Sequence, residues 1–160
     1  SFGITKVKNE NELIPALEKA WQESSDALVE EFIEGTEFTC GLVRLKNETL
    51  IFPVTEVIPK NEFFDYEAKY TPGATDEITP ARLPEELFKK CQQLSAGIYK
   101  KCECSGIARV DYILKNDTFY FLEVNTIPGM TETSFIPQQI NAMGLSLKHI
   151  ISHIIDDSLS

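Results

Sequence analysis

Two runs rich in β-branched and aromatic residues, Ile107-Ala108-Arg109-Val110-Asp111-Tyr112-Ile113-Leu114 and Thr118-Phe119-Tyr120-Phe121-Leu122-Glu123-Val124, flank a short polar break at Asn116-Asp117. A chain written this way is constrained to a β-hairpin at that point. Residues i and i+2 of a strand share a face, so Glu123 and Asn125 project the same way as two hard oxygen donors. Asp111 joins them in only one register. A two-residue turn at Asn116-Asp117 pairs Asp111 with Leu122 and sends its carboxylate to the other face, whereas an odd loop centred on Asp117, or a bulge, sets it opposite Glu123. In the odd register the three side chains outline a magnesium site, because Mg2+ takes one or two carboxylates and leaves its other positions to water and substrate phosphates; a nucleotide is the natural companion. Otherwise they are charges on the solvated face of an ordinary hairpin.

The chain has 160 residues, 42% of them hydrophobic and 25% charged, enough for one core or for a small lobe joined to a larger one. Its 15 basic and 25 acidic side chains leave a net charge of −10, and no basic patch is visible, so a phosphate-tracking nucleic-acid surface is excluded as a default. No stretch approaches the roughly 20 apolar residues of a membrane span, and the first residues lack the pattern of a secretory signal. Cys40, Cys91, Cys102 and Cys104 read as reduced core residues of a cytoplasmic protein. Cys102-x-Cys104 has no second cysteine pair to make a zinc site, and His149 and His153, four apart on a helix, read as an exposed helix face.

Ser1-Phe2-Gly3-Ile4-Thr5-Lys6-Val7 has no initiator methionine and reads as a loop entering a strand, the start expected of a fragment. Asn11 is expected to cap a short helix with the stripe Leu13, Leu17, Ala20 and Trp21, with Pro15 tolerated near its first turn. Ala27 to Ile33 is expected as a short strand broken by Glu34-Gly35. Glu37 to Leu45 and Thr49 to Val57 are expected as antiparallel strands across Lys46-Asn47-Glu48. Periodicity then fails from Pro59 to Ala81, a length that marks a functional loop or disorder. Pro84 opens a helix whose stripe is Leu87, Cys91, Leu94, Ile98 and Cys102. Ser134 caps a short helix closed by Gly144, and Ser146 caps a last one that buries Leu147, Ile150, Ile151, Ile154 and Ile155. The class is α+β, with a lobe boundary at Gly35 dividing 1–35 from 36–160.

Glu30 to Glu37, the loop Asp65-Tyr66-Glu67-Ala68-Lys69-Tyr70, Arg109 with Asp111, and Glu123-x-Asn125-Thr126-x-Pro128-Gly129-Met130-Thr131 together resemble the D-alanine–D-alanine ligase family of the ATP-grasp superfamily. The resemblance spans the chain and implies the C-terminal half of such an enzyme: an antiparallel sheet with flanking helices over 36–160 and the remainder of a small lobe over 1–35. It implies ATP and two Mg2+ (or Mn2+) ions held by Asp111, Glu123 and Asn125, with Glu123 bridging. It further implies that Glu30 accepts from the adenine amine, Glu31 and Ile33 offer backbone groups to the ring, Glu37 holds the ribose, and Lys69 reaches the phosphates when its loop closes.

By the same resemblance Arg109 and the Gly129 N–H form an oxyanion site, and Ser134 with the Phe135 N–H binds the carboxylate of the second of two D-alanines. Ser1 matches a serine loop that covers the phosphates. Tyr70 stands where relatives that make D-alanyl-D-lactate have phenylalanine, which implies an amine nucleophile. The chain departs from common members at Phe64, often tyrosine, and Thr133, often histidine. The implied product serves peptidoglycan precursor synthesis, the full-length enzyme is implied to be a homodimer, and neither nucleic acid nor membrane is an expected partner. The first D-alanine site is expected outside these residues, so the fragment alone is expected to be inactive.

Overall fold

The structure is a computed structural model and describes residues 2–46, 48–59 and 75–159. These fall into two compact units, residues 2–33 and a larger one made of 34–58 and 76–159. Ser1, Asn47 and the expected loop residues Phe64, Lys69 and Tyr70 lie outside the described residues.

In the smaller unit a 3-10 turn, Glu10–Glu12, leads into helix α1, Leu13–Ala20. Asn9, not Asn11, is the cap. Its side chain accepts from the Asn11 N–H at 3.1 Å, while the Glu12 carboxylate reaches back past the cap to the Lys8 N–H at 2.8 Å. The cap moves upstream because the 3-10 turn already supplies the helix entry. The stripe is only half-buried, and Trp21 remains 52% exposed. Neither 4–7 nor 27–33 is a strand. Strands need a hydrogen-bonded neighbour, and among the described residues of this unit none runs beside them. The Lys6 ammonium instead sits 3.4 Å over the Phe32 ring.

The larger unit is built on a five-stranded sheet, with β1 Thr36–Leu45, β2 Glu48–Pro59, β3 Thr75–Ile78, β4 Ile107–Lys115 and β5 Thr118–Asn125, in the order β3-β2-β1-β4-β5. β1 is antiparallel to both β2 and β4, and β4 to β5. β3 corrects the expectation of an irregular segment reaching Ala81. Its four residues are too few to show a period, and the sheet edge supplies what the pattern lacks. In β2 the register slips opposite Gly41, at Phe52-Pro53, and a proline with no N–H to offer suits such a bulge.

Alternation divides the sheet cleanly. Phe38, Cys40 and Leu42 of β1 and Ala108, Val110 and Tyr112 of β4 face helix α2, Glu85–Lys101. The buried stripe of α2 is Cys91, Ser95 and Tyr99, not the expected line through Leu94 and Cys102, both of which are exposed. Ser95 was invisible as a core position because it is polar. Its hydroxyl pairs with the Cys91 carbonyl and the Tyr112 hydroxyl, each at 2.9 Å, so burial costs it no hydrogen bond. Cys40 and Cys91 are free thiols in this core, and the neighbouring Cys40 thiol together with burial pushes the Cys91 thiol well above the usual range.

The opposite face carries helices α3, Phe135–Ala142, and α4, Leu147–Ser158, over Val43, Phe52 and Ile107. The Ser146 hydroxyl caps α4 by accepting from the His149 N–H at 3.2 Å, and Gly144, with φ of +72°, closes α3. Of the expected α4 stripe only Ile150 is fully buried; Ile151 and Ile155 face outward, because a helix laid across the sheet end buries a narrower stripe than its composition offers. His149 and His153 stack edge to face at 4.4 Å on the exposed side. No helix among the described residues is long and apolar enough to cross a membrane.

Candidate active site

The hairpin resolves its register in an unexpected way. The turn is the even, two-residue one: Lys115 faces Thr118, and Asn116 and Asp117 take φ of 50° and 58°, the two positive values that a type I′ turn requires and that Asn and Asp tolerate. Tyr112 then faces Phe121, but Asp111 faces Glu123, leaving Leu122 as an extra residue in β5. A bulge, not an odd loop, carries Asp111 and Glu123 to one face.

Two rows cross the sheet on the α3 side as a result. Thr39, Asp111 and Glu123 form one, and Gly41, Arg109 and Asn125 form the next. Glu37, two residues from Thr39, shares their face. Asp111 is held on both oxygens. The Arg109 guanidinium donates to Oδ1 at 2.8 Å and Oδ2 at 2.7 Å, and the Thr39 hydroxyl donates to Oδ1 at 2.6 Å. Both charged side chains are largely buried, at 13% and 16% exposure, so the planar bidentate contact is strong. The Asn125 side-chain oxygen accepts from the Ile127 N–H at 3.2 Å, which bends the chain out of β5 toward Gly129. Among the described residues no three His, Cys, Asp or Glu side chains converge; the donors here are two carboxylates and one amide oxygen.

Helix α3 supplies the other wall. Ser134 sits at its N-cap with extended backbone, yet its hydroxyl makes no capping bond. The sequence contributes to this: the third helical residue is Pro137, so one of the two N–H groups that a capping oxygen ordinarily takes is missing. The hydroxyl turns back instead, accepting from the Thr131 N–H at 3.2 Å and pairing with the Thr131 hydroxyl at 2.8 Å. This corrects the expectation of an ordinary cap. Gly129 lies beneath it, and a Cβ there would stand 2.9 Å from the Ser134 hydroxyl. The Arg109 guanidinium sits 5.3 Å from the centre of the Phe135 ring, so it joins the sheet rows to the helix start.

The structure thus gathers Glu37, Arg109, Asp111, Glu123, Asn125, Ser134 and Phe135 in the larger unit. Glu30 and Glu31 are exposed and Ile33 half-buried in a stretch of the smaller unit that has neither helix nor strand. Sequence reasoning missed four residues, Thr39, Glu77, Gln138 and Gln139. Thr39 is a β1 neighbour of Glu37 on the same face, a signal that was available. Glu77 on β3 accepts from the Gln138 amide, and its carboxyl is pushed above the usual range by burial, against the Gln138 hydrogen bond and the Arg109 charge. Gln139 is fully buried, and it accepts from the Gly41 N–H at 3.0 Å while donating to the Thr39 carbonyl at 3.1 Å and the Thr55 hydroxyl at 3.0 Å. Nothing in a lone sequence marks which helix glutamine points inward.

Chemically, the site combines a fixed guanidinium, carboxylate and amide oxygens on one sheet face, and a helix start whose first N–H groups lack a side-chain cap. It suits a polyanion bridged by hard cations beside a carboxylate. Comparison with solved structures agrees with that class, since the fold is that of ATP-grasp enzymes. The VanG D-Ala:D-Ser ligase from Enterococcus faecalis superposes with a TM-score of 0.85 at 37% identity, over 96% of this chain and 45% of that one. A D-alanine–D-alanine ligase from Bacillus anthracis complexed with ATP gives 0.78 at 36% identity, over 96% and 49%. A D-alanine–D-alanine ligase of Bacteroides fragilis is 51% identical over 158 residues, 98% of this chain and 48% of its own length. With residues 1–156 matched by the family model described as D-ala D-ala ligase C-terminus, the chain belongs to that family. It spans about half the length of the curated relatives it matches.

Proposed function

We propose that the full-length protein joins two D-alanines at the expense of ATP, in the cytoplasm, for peptidoglycan precursors. The carboxylate of the first attacks the γ-phosphorus and releases ADP. The amine of the second then attacks the acyl phosphate, giving the dipeptide with loss of phosphate and a proton. Such a reaction needs alignment and charge neutralisation and no covalent nucleophile from the protein. The observation that carries the reading is the pair of cross-strand rows, Asp111 with Glu123 and Arg109 with Asn125, beside the uncapped Ser134.

Asp111, Glu123 and Asn125 are all hard oxygen donors and fit Mg2+ or Mn2+, two ions being the expected number. When bound, the ions neutralise phosphate charge. Arg109 already holds both oxygens of Asp111, so its guanidinium stays beside the reacting centre, where with the Gly129 N–H it stabilises negative charge on the acyl oxygen. Ser134 and the Phe135 N–H take the acceptor carboxylate. Lys69 and Ser1 complete the phosphate end and Tyr70 favours an amine nucleophile by resemblance alone, and the lobe boundary near Gly35 is proposed on the same footing.

Glu123→Gln in the full-length protein tests the metal assignment: calorimetry is expected to show loss of Mg2+-dependent ATP binding, and unchanged metal and nucleotide affinity would overturn it. D-Serine is the competing acceptor, since one of the similar structures is a D-Ala:D-Ser ligase. The higher identity to the Bacteroides fragilis ligase favours D-alanine. Rates with D-alanine, D-serine and D-lactate as acceptors separate the three readings.

A further inference from the structure

Gln138 holds the peptide groups on both sides of Ser134. Its side-chain amide donates to the Thr133 carbonyl at 2.9 Å, and its backbone N–H donates to the Ser134 carbonyl at 3.3 Å. In a planar trans peptide the C=O and N–H point in opposite directions, so fixing the Ser134 carbonyl also fixes where the Phe135 N–H points. The Gln138 side chain therefore fixes the Thr133–Ser134 peptide, and its backbone N–H, as in any helix, fixes the Ser134–Phe135 peptide whose N–H faces the acceptor carboxylate. Gln138 is itself held. The second proton of its amide goes to the carboxylate of Glu77, which reaches across from the edge strand β3 and lies within the field of Arg109.

A half-buried carboxylate at a sheet edge is costly to keep, because burial disfavours its charged form. The Gln138 amide and the Arg109 charge face it, both belonging to the site. We propose that Glu77 is a positioning residue for the second substrate, acting through Gln138 to fix the Thr131–Ser134 turn and the start of α3. This rests on the assignment of Ser134 and Phe135 to the acceptor carboxylate. It adds a link to β3, an element the sequence did not reveal, so the strand that follows residues 60–74 is tied to the acceptor pocket.

The test uses the full-length protein, with rate against D-alanine fitted as two sequential binding steps. Glu77→Ala and Gln138→Ala are each expected to raise KM for the acceptor by about tenfold, the scale of a small misplacement of a binding group. kcat and KM for ATP should stay within about twofold, which separates lost binding from lost chemistry. The double variant should be no worse than either single one, because both break one chain of contacts. Glu77→Gln keeps an oxygen for the Gln138 amide and should restore acceptor KM to within about twofold of the parent. If Glu77→Ala does not fold, Gln138→Met, which preserves helix and volume, carries the same expectation.

Unchanged acceptor KM in Glu77→Ala, additive effects in the double variant, or equal losses for every substrate would each overturn the proposal. Ser134→Ala separates the two levels. If it too leaves acceptor KM unchanged, the underlying acceptor assignment fails; if it alone raises KM, only the role of Glu77 falls.

Discussion

Pro137 determines what Ser134 is available to do. At an ordinary helix start the N-cap hydroxyl is consumed by an N–H of the first turn, an interaction of about 1 kcal/mol. Proline at the third position removes one of the two N–H groups that a cap can use, and the hydroxyl turns instead to Thr131 and to the space over Gly129. The space is tight, and only glycine fits at 129, since a Cβ would meet the Ser134 hydroxyl at 2.9 Å. Gly129→Ala in the full-length protein is therefore expected to displace the hydroxyl and raise acceptor KM by about tenfold, leaving ATP affinity intact. Parallel measurements of acceptor KM and ATP binding check it, and a variant with both unchanged would show that Gly129 and Ser134 do not share a ligand. At this scale the sequence was legible wherever a motif fixed a residue: Glu123, Asn125 and Arg109 lie on the face expected of them. A bulge was one of two ways to set Asp111 opposite Glu123, but the choice between it and an odd loop, and its position at Leu122, was not legible, because one extra residue in a strand leaves no mark in the apolar pattern.

Helix α3 is placed by a close approach to β1. A Cβ on Gly41 would collide with Ile136, with the Gln139 Oε1 at 2.5 Å and with Phe52 at 2.7 Å, so the helix can lie this near the strand only over glycine. Gln139 fills the gap with three hydrogen bonds to β1 and β2, satisfying the Gly41 N–H that the β2 bulge leaves without a partner in that strand. Gly41→Ala should cost about 1–3 kcal/mol by overpacking. Gln139→Leu should cost about 1–3 kcal/mol by leaving a buried N–H unpaired. Urea unfolding measures both, and a loss below a few tenths of a kcal/mol would mean that α3 is not anchored here. Long elements such as α2, β1 and β4 were readable as elements because their apolar content is sustained over many residues. The missed elements are short or depend on neighbours: β3 exists because β2 offers it an edge, and 27–33 has strand composition with no strand beside it among the described residues.

The larger unit is assembled from two stretches of chain, 34–58 and 76–159, and its integrity depends on joining them. Besides strand pairing, three contacts stitch β2 to the segment after β3. The Ala81 N–H donates to the Val54 carbonyl at 2.8 Å, the Thr55 and Thr79 hydroxyls pair at 2.6 Å, and the Arg82 guanidinium grips the Glu56 carboxylate through Nε at 2.9 Å and Nη2 at 2.8 Å. Glu56 is nearly buried, and its hydrogen bonds from Arg82 hold its carboxyl below the ordinary value of 4.5 despite the opposing effect of burial. A carboxyl whose folded pKa is depressed binds protons more readily when unfolded. The contribution is therefore complete above 4.5 and disappears as pH falls through the lower folded value. Arg82→Met should accordingly lower the thermal midpoint at pH 7, and the difference from the parent should shrink as pH falls below 4.5 and through the depressed folded value. In a molecule with a net charge of −10, removing a cation also adds general repulsion. That long-range effect is screened by salt more strongly than the direct hydrogen-bonded contact with Glu56, so midpoints measured across pH in high salt bring out the stitch. A pH-independent difference between the two proteins would refute it.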